Sequence, residues 1–251
     1  MSLVNKVVVI TGGGSGIGKA CAEHFAESGA TVIIADINLN NASDLVESLS
    51  QKNAKAAALN MDVTDYKNVE ASLDEVVEKY GQLDIMINNA GIMNQNRTPT
   101  ADHSFEDWDR VIAINQTGVF YCMKASLKHM MKQGHGAIVN MASLAGLKAS
   151  GHNLAYSASK FAVVGMTKSA AMEYAPYNIR INAVCPSYTQ TPMLDAVVEK
   201  QPGIDKKLLR FVPMGRFAEA DEIAEAVIWL ASDKSKFVTG QTITIDGGLS
   251  L

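Results

Sequence analysis

The chain has 251 residues, of which 47% are hydrophobic and 19% charged, the balance of a globular protein with a full core. A net charge of −4 without any Lys/Arg run argues against a nucleic-acid or membrane-surface binder built on basic charge. Cys21, Cys122 and Cys185 are odd in number and far apart, which suits a reducing compartment better than a disulfide framework. Neither Cys-x-x-Cys nor His-Glu-x-x-His spacing predicts a metal site.

The opening Met1–Lys6 does not read as a signal peptide, and the apolar run Val7–Ile10 is too short to span a bilayer. A cytoplasmic protein is therefore expected. Lys6–Thr11 reads as a strand that is apolar on both faces, as in a parallel sheet. Helix Gly16–Ser28 follows, with Gly29 as a left-handed stop. Next come strand Thr31–Asp36, helix Asn40–Lys52, strand Ala54–Asn60 and helix Lys67–Lys79, the last stopped by Gly81. Strand Leu83–Asn88, a long helix Phe105–Lys132 and strand Gly136–Ala142 continue the alternation. Helix Tyr156–Ala175 ends before Pro176. Strand Ile179–Cys185 precedes the least regular stretch, residues 187–217, which reads as a lid over the carboxyl ends of the strands. Helix Glu219–Ala231 and strand Thr242–Ile245 close the chain. Alternating β and α units without a linker or repeat predict one α/β domain over residues 1–251, a doubly wound parallel sheet with helices on both faces and right-handed crossovers.

The first strand runs into Thr11-Gly12-Gly13-Gly14-Ser15-Gly16-Ile17-Gly18 and then a helix. Glycines there let the backbone approach a pyrophosphate, whose charge rests on the helix N-terminus. The spacing is Gly-x-x-x-Gly-x-Gly at Gly12, Gly16 and Gly18, not Gly-x-Gly-x-x-Gly. Asp36 closes the second strand, 18 residues past Gly18. A carboxylate there accepts hydrogen bonds from ribose hydroxyls and repels a 2′-phosphate. With no Arg or Lys at Gly13–Ser15, Ile37 or Asn38 to offset it, NAD(H) is favoured over NADP(H). Asp62 follows the third strand, where it either caps a turn or faces adenine.

Tyr156 and Lys160 stand four residues apart and so share a helix face. A tyrosine titrates at about 10. A cation about 4 Å away, at an effective dielectric near 20, is worth roughly 4 kcal/mol, or about three pKa units. Lys160 is therefore expected to bring Tyr156 toward neutrality, where a general acid/base works best. Ser143, 13 residues upstream, is placed to hold a substrate oxygen.

Taken together, Thr11-Gly12 with Gly16-x-Gly18, Asn88-Asn89-Ala90-Gly91, Asn115, Ser143, Tyr156-x-x-x-Lys160, Pro186 with Thr191-x-Met193, and Asp246-Gly247-Gly248 resemble the short-chain dehydrogenase/reductase family from Lys6 to Gly248. The resemblance implies a single Rossmann-like domain with a seven-stranded parallel sheet and a homotetramer. It implies that Tyr156 is the general acid/base, that Ser143 holds the substrate oxygen, and that Lys160 binds the nicotinamide ribose and lowers the Tyr156 pKa. Asn115 is expected to hold a water linking Lys160 to solvent. Cofactor contacts are implied at Gly12, Ser15, Gly16, Ile17, Gly18, Asp36, Ile37, Asp62, Val63, Asn89, Ala90, Gly91, Pro186, Thr189, Thr191 and Met193, besides Tyr156 and Lys160. One departure stands out: Ser187 follows Pro186 where the family usually has glycine.

The expected substrate lining includes Ser143, Leu144, Leu147, His152, Asn153, Tyr156 and Tyr188, with Met193, Leu194, Val197 and Leu208 or Phe211 from the lid. It is mostly apolar, which favours a neutral secondary alcohol or ketone, cyclic or aryl-substituted. Two other readings stay open: a 3-oxoacyl-type reductase of the same fold, and an NAD-binding sensor or interaction protein without chemistry. A Ser hydrolase fails for want of Gly-x-Ser-x-Gly at a strand end.

Overall fold

A computed structural model describes residues 2–251. Seven strands form a single parallel sheet: β1 (Val7–Thr11), β2 (Thr31–Asp36), β3 (Lys55–Asn60), β4 (Ile85–Asn88), β5 (Gly136–Met141), β6 (Ile179–Pro186) and β7 (Thr242–Ile245), in the order β3-β2-β1-β4-β5-β6-β7. The seven-stranded doubly wound sheet expected from the alternating pattern is the observed fold, with strand ends within two residues of those read from the sequence.

The uniformly apolar strands cover two cores. Val7 and Val9 of β1 face one side and Val8 and Ile10 the other, following the two-residue period of a strand. The first side packs on α3 (Tyr66–Tyr80), α5 (Gly118–Gln133) and α6 (Leu154–Tyr174), through residues such as Leu73, Met130 and Val163. The second packs on α1 (Gly16–Glu27), α2 (Leu39–Gln51) and α9 (Ala220–Ala231), through Phe25, Leu45 and Val227. Among the described residues no helix is long and apolar enough to cross a membrane.

Two elements differ from the sequence expectation. The long helix Phe105–Lys132 is broken into α4 (Phe105–Ile112) and α5 by a π-helical turn, Ala113–Thr117, where the Gly118 N–H reaches back to the Ala113 carbonyl. The widened turn contains buried Asn115, as π turns often hold functional residues. The stretch 187–217 is also more ordered than expected. It contains α7 (Pro192–Lys200) and α8 (Ile204–Leu209), folded over a cluster of their own made by Leu194, Leu208 and Phe217.

The strand order reverses direction between β1 and β4, so the connections after these neighbouring strands leave to opposite sides. That opens a crevice at their carboxyl ends, where open α/β sheets take ligands. The turn after β1, Asp36, the loop after β4, Ser143 and residues 187–191 all lie at this edge of the sheet.

Candidate active site

The crevice is built first from backbone. Gly12 has φ +60°, and a Cβ there would lie 2.9 Å from the Ala90 Cα, so only glycine permits the turn after β1 to press against the loop after β4. Asn89 seals this contact by donating its Nδ2 to the carbonyls of Thr11 and Gly12, both at 3.0 Å. The Thr11 hydroxyl accepts from the backbone N–H of Asn89 and of Ala90. Ser15 leads into α1 without using its side chain as a cap. Asp36 holds the turn through the Gly14 N–H at 3.0 Å and its own loop through the Asn38 N–H at 2.9 Å. Ile37 beside it is exposed. Asp62 turns inward on Thr64, accepting from its N–H and hydroxyl, and Val63 is buried against Gly118.

Around the far half of the crevice, Ser143 and the first turns of α6 come together. Gly146 approaches α6 so closely that a Cβ would lie 2.6 Å from the Lys160 carbonyl oxygen, which fixes the Ser143 loop against the helix. The Ser143 Oγ accepts from the Ala145 N–H at 3.1 Å, leaving its own proton free to donate. The Ser143 hydroxyl lowers the pKa of the Tyr156 phenol. Lys160 is buried, with Nζ donating to the Met141 carbonyl at 2.8 Å. A Cβ on Gly91 would lie 3.4 Å from that Nζ, so the missing side chain there leaves the remaining ammonium hydrogens room to meet a ligand.

The electrostatics correct one expectation. The Lys160 Nζ gives its hydrogen bond to the Met141 carbonyl and stands 5.6 Å from the centroid of the Tyr156 ring. Burial pushes the Tyr156 phenol above its usual range, and the Ser143 hydroxyl offsets only part of this. Burial also pushes the Lys160 ammonium down to about 8, the direction expected for a cation taken from water.

Asn115 is committed to protein. Its Oδ1 accepts from the Ile92 N–H at 2.8 Å, and its Nδ2 donates to the Ile92 carbonyl at 2.9 Å and the Ser159 Oγ at 3.3 Å. The side chain thus clamps the loop after β4 to α6. The stretch 187–217 is rooted by a parallel bridge between Thr189 and Ala218, and Thr191 lies against Gly16. Tyr188 packs edge-on against Phe217 with ring centroids 5.8 Å apart. Leu194 and Leu208 are turned into the cluster they share with Phe217, while Met193 and Phe211 are exposed. Leu144 and Asn153 are buried near the N-terminus of α6. Ser187, the departure from the family pattern, has no positive φ, so the missing glycine imposes no left-handed strain.

Asn94 was not legible as a site residue: it accepts from the Tyr156 N–H across 62 residues of sequence, a contact that no local pattern signals.

A family model described as enoyl-(acyl carrier protein) reductase matches residues 12–250. The 3-oxoacyl-[acyl-carrier-protein] reductase of Thermotoga maritima is 42% identical over 99% of this chain and 99% of its own. The cyclohexanol dehydrogenase of an Acinetobacter species is 39% identical over 97% and 94%. Among solved structures, NAD⁺-bound xylitol dehydrogenase superposes with a TM-score of 0.94 at 34% identity, over 99% of this chain and 100% of the other. A Brucella melitensis 3-ketoacyl-(acyl-carrier-protein) reductase complexed with NADH gives 0.92 at 32% identity, over 100% of both. The chain belongs to the short-chain dehydrogenase/reductase family. It is an oxidoreductase acting on CH–OH groups.

Proposed function

We propose that the protein moves a hydride between NAD(H) and a neutral, cyclic secondary alcohol or its ketone, with Tyr156 as the proton donor and acceptor. The observation that carries this reading is the convergence of Ser143, Tyr156 and Lys160 on one edge of the crevice, opposite the glycine turn and Asp36.

The residues present fit the dinucleotide. Gly12, Ser15, Gly16, Ile17 and Gly18 form its pyrophosphate turn, with Asp36 and Ile37 at the adenosine ribose and Asp62 and Val63 toward adenine. Asn89, Ala90 and Gly91 wall the crevice, Lys160 meets the nicotinamide ribose, and Pro186, Thr189, Thr191 and Met193 complete the nicotinamide end. When bound, the dinucleotide supplies the hydride acceptor or donor. In alcohol oxidation the Tyr156 oxygen takes the hydroxyl proton; in reduction it returns a proton to the carbonyl oxygen. Ser143 donates to that oxygen and keeps it in line. Asn115 is a positioning residue, holding the loop after β4 against α6. Residues 187–217 act as the lid.

The neutral substrate class is supported by what the nearby cations already do. Arg97 donates to the Gly151 carbonyl, and Arg216 is held by both carboxylate oxygens of Glu222. Leu144, Asn153 and Tyr188 are the proposed pocket walls. A cyclic ring is favoured by the relative named cyclohexanol dehydrogenase. A 3-oxoacyl thioester is the second reading, favoured by the relative named for that activity and compatible with NAD(H), since a 3-ketoacyl-(acyl-carrier-protein) reductase of the same fold is complexed with NADH.

A homotetramer is part of the proposal. Leu154, Phe161 and Met172 recur on one exposed stripe of α6, and Phe120 on α5 is exposed as well, which suits contact with further copies. Three buried, free cysteines suit a cytoplasmic setting.

The test is turnover of NAD⁺ with a panel of cyclic and open-chain secondary alcohols, alongside NADH or NADPH oxidation with 3-oxoacyl thioesters. Faster turnover of cyclic alcohols, with NADH preferred at least tenfold over NADPH, is the expected result. Preference for acyl thioesters selects the second reading, and tight NAD binding without turnover on either panel selects a sensor.

A further inference from the structure

Helix α6 starts without a cap of its own. Asn153, at the capping position, makes no side-chain bond to the first turn, and its buried Oδ1 has no partner among the described residues. The first N–H groups of a helix need acceptors from outside it. One acceptor comes from the loop after β4: the Asn94 Oδ1 takes the N–H of Tyr156, the third residue of α6, at 3.1 Å. A side-chain carbonyl oxygen is the kind of group that caps a helix, and here it arrives from a distant segment onto the residue that carries the phenol.

The orientation of this amide follows from its other contacts. The Tyr156 N–H can only donate, so the Asn94 oxygen faces it and the Nδ2 faces the Nε2 of His103, 3.2 Å away. His103 Nε2 is then the acceptor, and its Nδ1 proton is directed at the Thr98 Oγ1, 3.4 Å away. Asn94 is itself buried. Its neighbours are held independently: Ile92 by Asn115, the Met93 carbonyl by Arg110, and Gln95 by Asp107 and Lys200. The loop therefore has its anchors without Asn94, and the bond from Asn94 serves the helix.

We propose that Asn94 is a positioning residue for the reaction, fixing the first turn of α6 and so the aim of Tyr156, with His103 and Thr98 holding its amide the right way round. The inference rests on the reading of Tyr156 as the proton-transfer group, but its structural half stands apart from that reading. A misaimed acid/base slows the chemical step without weakening dinucleotide binding.

The experiment compares wild type with Asn94→Ala, Asn94→Asp and His103→Leu. Measured are kcat and KM with the best alcohol of the panel, and amide hydrogen exchange in the first turn of α6. Asn94→Ala is expected to lower kcat by about tenfold, leave the KM for NAD⁺ within about twofold, and lose about tenfold of exchange protection at Tyr156. Asn94→Asp, which keeps an acceptor, is expected to restore both readouts to within about threefold of wild type. If Asn94→Ala does not fold, His103→Leu carries the test, because it leaves Asn94 in place but unoriented; it is expected to lower both kcat and protection. Unchanged kcat and protection in Asn94→Ala or His103→Leu, or an Asn94→Asp as impaired as Asn94→Ala, would overturn the proposal. If wild type turns over nothing on the panel, the functional reading fails while the exchange measurement still decides whether Asn94 caps α6.

Discussion

Lys160 is a cation kept out of water, and its pKa of about 8 turns that into a measurable pH dependence. Its folded-state pKa lies below the unfolded value of 10.5, so the unfolded chain binds more protons between those values. The penalty of burying the ammonium is then fully present below pH 8, and is relieved as pH rises from about 8 toward 10.5. Replacing Lys160 with Met removes this dependence. Urea unfolding should show the variant more stable than wild type near pH 7, with the gap closing by up to roughly 3 kcal/mol as pH rises through this window. A gap constant from pH 7 to pH 10 would contradict the assignment. Tyr156, Lys160 and Ser143 were legible because helix periodicity and order along the chain are local properties. The direction of the Tyr156 shift was not, because it depends on how far the fold buries the phenol, which no local pattern states.

The elements that differ from expectation bear directly on the site. Apolar spacing from Phe105 to Lys132 is helical throughout, and nothing in it marks the π turn at Ala113–Thr117. The turn exists in a tertiary context, where the Asn115 amide clamps Ile92 and Ser159. Asn115→Ala should therefore leave the Ile92 N–H and carbonyl without their partners, at a cost of about 1–3 kcal/mol, seen as a lower urea midpoint with an unchanged slope. A loss below about 0.5 kcal/mol would mean water replaces the clamp freely. Helices α7 and α8 were not legible for a different reason. They are short, and their apolar residues face a small cluster within residues 187–217 instead of a periodic stripe toward the sheet.

For the whole molecule, the parallel, doubly wound sheet was implicit in the alternation of apolar runs with helical segments, since parallel strands need crossovers and crossovers need helices; the order of its strands was not. Association is the level at which sequence patterns run out, because a stripe such as Leu154, Phe161 and Met172 is written the same way whether it meets a sheet or a second copy. The exposure of those side chains predicts the second. Phe161→Glu should shift the protein to a smaller species in sedimentation-velocity experiments; an unchanged sedimentation coefficient would place the interface elsewhere. The central claim, proton transfer by Tyr156 coupled to hydride transfer with NAD(H), is tested most directly by single-turnover kinetics of Tyr156→Phe with NAD⁺ and the best alcohol substrate, next to a titration of NADH binding. The expected result is hydride transfer slowed by about 10²- to 10⁴-fold with NADH affinity within about threefold of wild type, and hydride transfer at a near-wild-type rate would contradict it.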